Sequence, residues 1–259
     1  MDSFDDDSVI GSNPDTMAKL LDDKVAIVTG ASQGLGLAIA SALAVDGASV
    51  LMVARTEEKL AEAAVGVQES DGVVSPFLAD VAAAGAADEI VNRALSEFGR
   101  LDIVVNNAGI FVWKQLFDLA PEDWDRTIST NLSAPFHMTR VAAKVIADQG
   151  VGGAIVNIAS IHGLVGDANV VPHCASKFGL IGLTRASADA LRQHGVRVNA
   201  IAPGQIEPDS RNRRGASPAE KVTQADIASL VVYLSSDLSR SVTGSVVEMN
   251  GSTRSVIKA

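Results

Sequence analysis

Cysteine is nearly absent from this chain. Cys174 is the only one among 259 residues, so neither an internal disulfide nor a thiolate metal cluster can form. A reducing setting, the cytoplasm, is expected on that basis. Aromatic residues make up only 4%, and Tyr233 is the single tyrosine. Ala, Val, Leu and Ile must therefore fill the core. Positive charge is also scarce: 21 Lys and Arg against 31 Asp and Glu leave a formal charge of -10. That balance speaks against nucleic acid or an anionic membrane as the main partner. No apolar run reaches the length of a membrane helix. The opening MDSFDDDSVIGSNPD has neither the basic start nor the apolar stretch of a signal peptide.

What is present is a 47% hydrophobic chain of a length that suits one large α/β domain. Residues 1–23 carry seven Asp, one Lys and no Arg, which reads as a flexible acidic tail, with order beginning near Lys24. From there short apolar strands alternate with helical stretches. Strands are expected at VAIVTG, SVLMVAR, VVSPFLA, LDIVVNNAG, AIVNIAS, VRVNAIAPG and SVVEMNG. Helices are expected over 35–45, 57–68, 84–98, 122–149 with a kink or early turn at Pro135, 174–193 and 224–234. Continuous Val/Ile runs mean strands buried on both faces, hence a parallel sheet covered by helices. The expected fold is a doubly wound, three-layer Rossmann domain spanning 24–259, with a mostly parallel sheet of about seven strands.

The first strand runs into Thr29-Gly-Ala-Ser-Gln-Gly-Leu-Gly36, and a helix follows. Glycines at 30, 34 and 36 allow a tight turn and close approach of a diphosphate, which the N–H groups of the helix start would receive. Gly30, Ser32, Gln33, Gly34, Leu35 and Gly36 are therefore candidate cofactor contacts. The second strand ends at Arg55 with no acidic residue to hold a free ribose hydroxyl. An arginine there suits a 2′-phosphate, so NADP(H) is favoured over NAD(H). Gln33 adds a hydrogen bond without charge. Asp80, followed by Val81, either accepts from an adenine amino group or caps a turn.

With these residues in place the chain resembles the short-chain dehydrogenase/reductase family over nearly all of 24–251. Asn106-Asn107-Ala108-Gly109 is similar to its NNAG segment, so Asn107, Ala108 and Gly109 are implied on the cofactor side. Asn131 matches its active-site asparagine, Ser160 its serine and Lys177 its lysine. Pro203-Gly204, with Ile206 close behind, matches the turn beside the nicotinamide. The resemblance implies hydride transfer, with Ser160 holding the substrate oxygen, Lys177 at the ribose and Asn131 anchoring water. It also implies a small-molecule substrate and assembly into homotetramers or homodimers through the helices 122–149 and 174–193.

The resemblance breaks at the acid/base. The family's tyrosine stands four residues before the lysine, and here that position is His173. Pro208 replaces a cofactor-contacting threonine, and a loop of about twenty residues with Arg211, Arg213 and Arg214 stands where the family has a larger lid. Three readings follow for His173. It takes over the proton transfer, since imidazole titrates near neutrality (reference pKa about 6.5), although it reaches less far than a phenol. Alternatively His162, two residues past Ser160, serves as substrate contact or auxiliary acid. Alternatively redox chemistry is lost, leaving a cyclase, dehydratase or isomerase, or a nucleotide-binding scaffold without turnover. A hydrolase is disfavoured because Ser160 lacks a G-x-S-x-G elbow. A metal site is disfavoured because His162, Asp167 and His173 lack ligand spacing. Phe111 and Trp113, just past NNAG, are candidate pocket walls for a small, flat or ring-shaped substrate. Asn157 and Asn199, inside apolar strands, read as structural polar groups, and Cys174 as a small buried residue.

Overall fold

A computed structural model describes residues 19–207 and 221–250. Seven strands form one sheet: β1 (Val25–Thr29), β2 (Ser49–Ala54), β3 (Val74–Leu78), β4 (Ile103–Asn106), β5 (Gly153–Ile158), β6 (Val196–Pro203) and, after a short pair, β9 (Val246–Met249). Their order is β3-β2-β1-β4-β5-β6-β9, and every pairing is parallel. The α/β Rossmann expectation is thus met. Side chains alternate between two apolar cores: Ala26 and Val28 of β1 face one, Ile27 the other. Helices α1 (Gly34–Val45) and α7 (Gln224–Ser235) cover the first core, and α3 (Ala86–Phe98) with α5 (Ala134–Gln149) covers the second. Strand order reverses between β1 and β4, which opens a crevice at the carboxyl ends of the strands.

Three boundaries differ from the sequence reading, each for a local reason. Leu21, inside the expected tail, is fully buried in the first core, and its N–H donates to the Asp46 carbonyl. Residues 1–18 lie outside the described residues. The expected helix 122–149 is broken into α4 (Pro121–Ile128), a wider π-type turn over Ser129–Ser133, and α5. The Ala134 N–H reaches back five residues to Ser129, and Pro135 has no N–H to offer the Asn131 carbonyl one turn behind it. Finally, α6 (Val171–Leu191) starts three residues before the expected Cys174, because Pro172 fills an opening position where a missing N–H costs nothing. His173 and Lys177 therefore ride one turn apart on the same helix.

A buried polar chain sets the depth of α6. Asn106 Nδ2 on β4 donates to Asn157 Oδ1 on β5 (2.8 Å), and Asn157 Nδ2 donates to Thr184 Oγ1 on α6 (2.9 Å). Thr184 in turn donates to the Leu180 carbonyl (2.8 Å). Asn199 is spent on structure as well, donating to Val242 O and accepting from Ser245 N. Beside the crevice, β7 (Gln205–Glu207) pairs with β8 (Lys221–Thr223), and Thr223 caps α7 in a reciprocal box with Asp226. Of the loop of about twenty residues expected in place of a larger lid, residues 208–220, with Pro208, Arg211, Arg213 and Arg214, lie outside the described residues, and the rest falls in β7, β8 and the start of α7.

Candidate active site

The glycine turn joins β1 to α1. Gly30 (φ +69°) and Gly34 (φ +56°) occupy the left-handed region that favours glycine. A side chain on Gly36 would run into the Gly30 carbonyl and the Asn107 amide. The turn is tied to the NNAG segment: Thr29 Oγ1 accepts from the N–H groups of Asn107 and Ala108 (3.0 Å each), and Asn107 Nδ2 donates to Thr29 O (2.8 Å). Gln33 precedes α1 in an extended conformation, and no side chain caps the helix. Its first N–H groups are left for a ligand. A nucleotide diphosphate fits this cradle on geometry and charge.

At the outer end, Arg55 Nη1 lies 3.6 Å from Asp80 Oδ2, both side chains about half exposed. Asp80 Oδ1 also accepts from Ala82 N (3.0 Å), the turn-capping role that the sequence left open. Lys59, in the first turn of α2 (Glu57–Gln68), donates to Gln33 Oε1 (3.2 Å). It was not anticipated. Helix periodicity after β2 carried the only signal, since it brings the solvent face of the first turn of α2 back toward the glycine turn.

The crevice at the strand ends encloses about 460 Å³. Ser160, His162, His173, Lys177 and Phe111 line it together, with Leu35, Asn107, Gly109, Pro203, Gly204 and Ile206 of the expected cofactor set. Ile110, Gln205 and Gln224 also line it and were missed. Gln224 is distant in sequence and arrives only because the β7–β8 pair seats the start of α7 there. Trp113 does not line the crevice. It is half exposed and stacks on Phe111 at 6.1 Å between ring centroids.

Lys177 is almost fully buried, and its Nζ donates to the Ile158 carbonyl at the end of β5 (2.7 Å). Burial lowers its pKa to about 8. One turn earlier, the His173 ring lies 4.8 Å from Phe111 and 5.7 Å from His162, edge-on to both. Ser160 Oγ accepts from the His162 N–H (3.2 Å). Asn131 sits behind the wall rather than in it. Its Oδ1 accepts from Ile110 N (2.8 Å) and its Nδ2 donates to Ile110 O (2.9 Å) and Ser176 Oγ (3.2 Å). The side chain thus clamps the segment after NNAG to the second turn of α6. Ser176 completes the clamp by donating to His173 O (2.8 Å). Cys174 Sγ accepts from Asp167 N (3.3 Å), and burial raises its pKa.

A parallel sheet with a glycine cradle at its switch point, and Ser and Lys at the crevice wall, defines a nucleotide-binding Rossmann oxidoreductase. The family described as short chain dehydrogenase matches residues 24–219, and the chain belongs to it. It is 35% identical over 255 residues to the D-beta-hydroxybutyrate dehydrogenase of Cupriavidus necator, spanning 90% of this chain and 98% of that protein. It is 36% identical over 239 residues to the 3-oxoacyl-acyl-carrier-protein reductase of Staphylococcus aureus, spanning 88% and 97%. Among solved structures, a short-chain type dehydrogenase/reductase from Mycobacterium marinum superposes with a TM-score of 0.85 at 31% identity, covering 90% of this chain and 96% of that one. Among the described residues, no helix is long and apolar enough to cross a membrane.

Proposed function

We propose that the protein is an NADP(H)-dependent oxidoreductase that reduces the ketone of a small metabolite, or oxidises the corresponding alcohol, with His173 as its acid/base. One observation carries this reading: Ser160, His173 and Lys177 meet in a single crevice at the strand ends, beside the glycine cradle. When bound, a nicotinamide nucleotide supplies or accepts the hydride. Ser160 Oγ donates to the carbonyl oxygen and stabilises the charge that builds there. His173 delivers a proton to that oxygen, directly or through one water, because its ring is shorter than a phenol. Lys177 positions the ribose, and Asn131 keeps the crevice wall in register through Ile110 and Ser176. Arg55, with Lys59 near Gln33, offers positive charge to a 2′-phosphate, which supports NADPH over NADH. The names of two relatives share 3-oxo and 3-hydroxy acyl chemistry, so 3-oxoacyl thioesters are the first substrates to try; a small cyclic ketone is the alternative, with Phe111 and Trp113 beside it.

The substitution of imidazole for the expected phenol favours one second reading, a non-redox enzyme using the same pocket for proton transfer alone. Assembly into a homotetramer or homodimer through α5 and α6 is supported by a groove between them floored by Ala143 and Ala147 and flanked by half-exposed Phe136. A cytoplasmic setting agrees with the lone cysteine. The test is to titrate the protein with NADPH and NADH by Trp fluorescence, then follow loss of reduced-nicotinamide absorbance with acetoacetyl-CoA and with small cyclic diketones. Tighter NADPH binding and its consumption support the reading. Binding without consumption of any carbonyl compound removes the redox assignment in favour of the second reading.

A further inference from the structure

We propose that His162, facing Asp167, returns protons to His173 through a bridging water, so that the proton used at the substrate oxygen enters from the solvent side of the crevice. This rests on the reductase reading above.

Five observations carry it. Asp167 Oδ2 lies 3.6 Å from His162 Nε2, and the two side chains are only partly exposed. The carboxylate is itself fixed: its Oδ1 accepts from Asn169 N (2.9 Å) and Nδ2 (3.3 Å), while Asp167 N donates to Cys174 Sγ. The His162 ring stands nearly perpendicular to that of His173, with centroids 5.7 Å apart, and Phe111 packs against both. That spacing is too long for direct transfer and suits exchange through one bridging water. The approach is built in, because Gly163 lets the turn Ile161–Gly163 settle on α6; a Cβ there would stand 2.8 Å from the Lys177 carbonyl. On the inner side the Asn131 side chain is already engaged by Ile110 and Ser176, and Lys177 Nζ by the Ile158 carbonyl.

Among the described residues, the charged and titratable groups around the pair are few. Lys177 on α6 and His162 flank His173, Asp167 faces His162, and the Cys174 thiol is turned to the loop backbone. In the reduction direction the carbonyl carbon gains a hydride from the reduced nicotinamide, which is oxidised. The oxygen gains one proton from His173. His173 regains it from His162, and His162 from bulk water. The Asp167 carboxylate, 3.6 Å away, favours the imidazolium that forms on His162. Oxidation of the alcohol runs the same path outward. Asp167 is a positioning residue here, and His162 acts through His173.

The experiment compares wild type, Asp167→Asn, Asp167→Glu and His162→Gln. Asn keeps an oxygen for Asn169, and Gln keeps the backbone N–H that Ser160 accepts from. In the free protein, ring resonances of the four histidines are followed against pH with 13C-labelled histidine. In D167N the His162 midpoint falls by about one pH unit, D167E restores it, and in H162Q the His173 midpoint rises. With NADPH and acetoacetyl-CoA, H162Q loses at least tenfold in kcat with KM little changed. Its solvent isotope effect grows, and added imidazole recovers part of the rate. An unmoved His162 midpoint in D167N, or an H162Q enzyme with wild-type kcat and solvent isotope effect, overturns the proposal. If wild type consumes no NADPH with any carbonyl probe, the reductase reading falls and takes this route with it; wild-type turnover with an unaffected H162Q overturns the route alone.

Discussion

Replacing Lys177 by methionine removes a charge from one of the most enclosed sites in the protein, and the consequence can be worked out in sign and size. Lys177 is about 6% exposed, and burial takes its pKa from 10.5 to about 8. Below pH 8 the amine is protonated in both folded and unfolded chains, so the folded state carries the full cost of the buried charge. Between pH 8 and 10.5 the folded protein sheds the proton while the unfolded chain keeps it, so stability rises with pH. At about 1.4 kcal/mol per pKa unit the whole effect is about 3 kcal/mol, most of it gained by pH 10. Methionine matches the length of the side chain and has no proton to lose. It forfeits the bond to the Ile158 carbonyl, but that offset does not vary with pH. Urea unfolding of the cofactor-free protein, at fixed protein concentration, reads the difference between wild type and K177M at pH 7 and pH 10. Wild type should gain about 2–3 kcal/mol on the variant over that interval. A difference that stays constant refutes the claim that Lys177 is held in a water-poor site.

Three further perturbations have definite outcomes. Gly36→Ala forces a methyl group against the Gly30 carbonyl and should cost about 2–3 kcal/mol, seen as a Tm lower by about 5–10 °C, with loss of NADPH binding by fluorescence titration. Asn157→Ala cuts the chain from Asn106 to Thr184 and leaves buried Asn106 without its acceptor, a loss of about 2–3 kcal/mol in urea unfolding. Arg55→Ala should weaken NADPH by about 10- to 100-fold, the value of a charge-assisted bond to phosphate, and leave NADH affinity unchanged.

Much of the architecture was legible because the relevant signals are local. Val/Ile runs separated by amphipathic stretches identify parallel strands and their covering helices without knowledge of the partners. The glycine turn was readable for the same reason, since the conformations of Gly30 and Gly34 are dictated within a few residues. Legibility failed where an effect depended on something distant. Pro135 was read as a kink or early turn; it sits in the opening turn of α5, and the distortion falls just before it, over Ser129–Ser133, because its missing N–H leaves the Asn131 carbonyl of the preceding turn without a helical partner. The start of α6 was set by Pro172, and this earlier start places His173 within the helix beside Lys177. Trp113 was grouped with Phe111 by adjacency, yet only Phe111 turns into the crevice. Gln224 entered through strand pairing across a gap, and Lys59 through a single contact with Gln33. Neither leaves a motif. The pairing of His162 with Asp167 was likewise invisible, because the four residues between them have no periodicity to show that the loop folds back.

Proton transfer at the substrate oxygen depends most directly on His173. NADPH consumption with acetoacetyl-CoA, measured for wild type and His173→Ala after fluorescence titration has shown equal cofactor affinity, isolates its contribution. A fall in kcat of about 100-fold or more, the usual contribution of a positioned acid/base, is the predicted result. Equal rates in the two proteins would contradict it and remove His173 from the proton transfer.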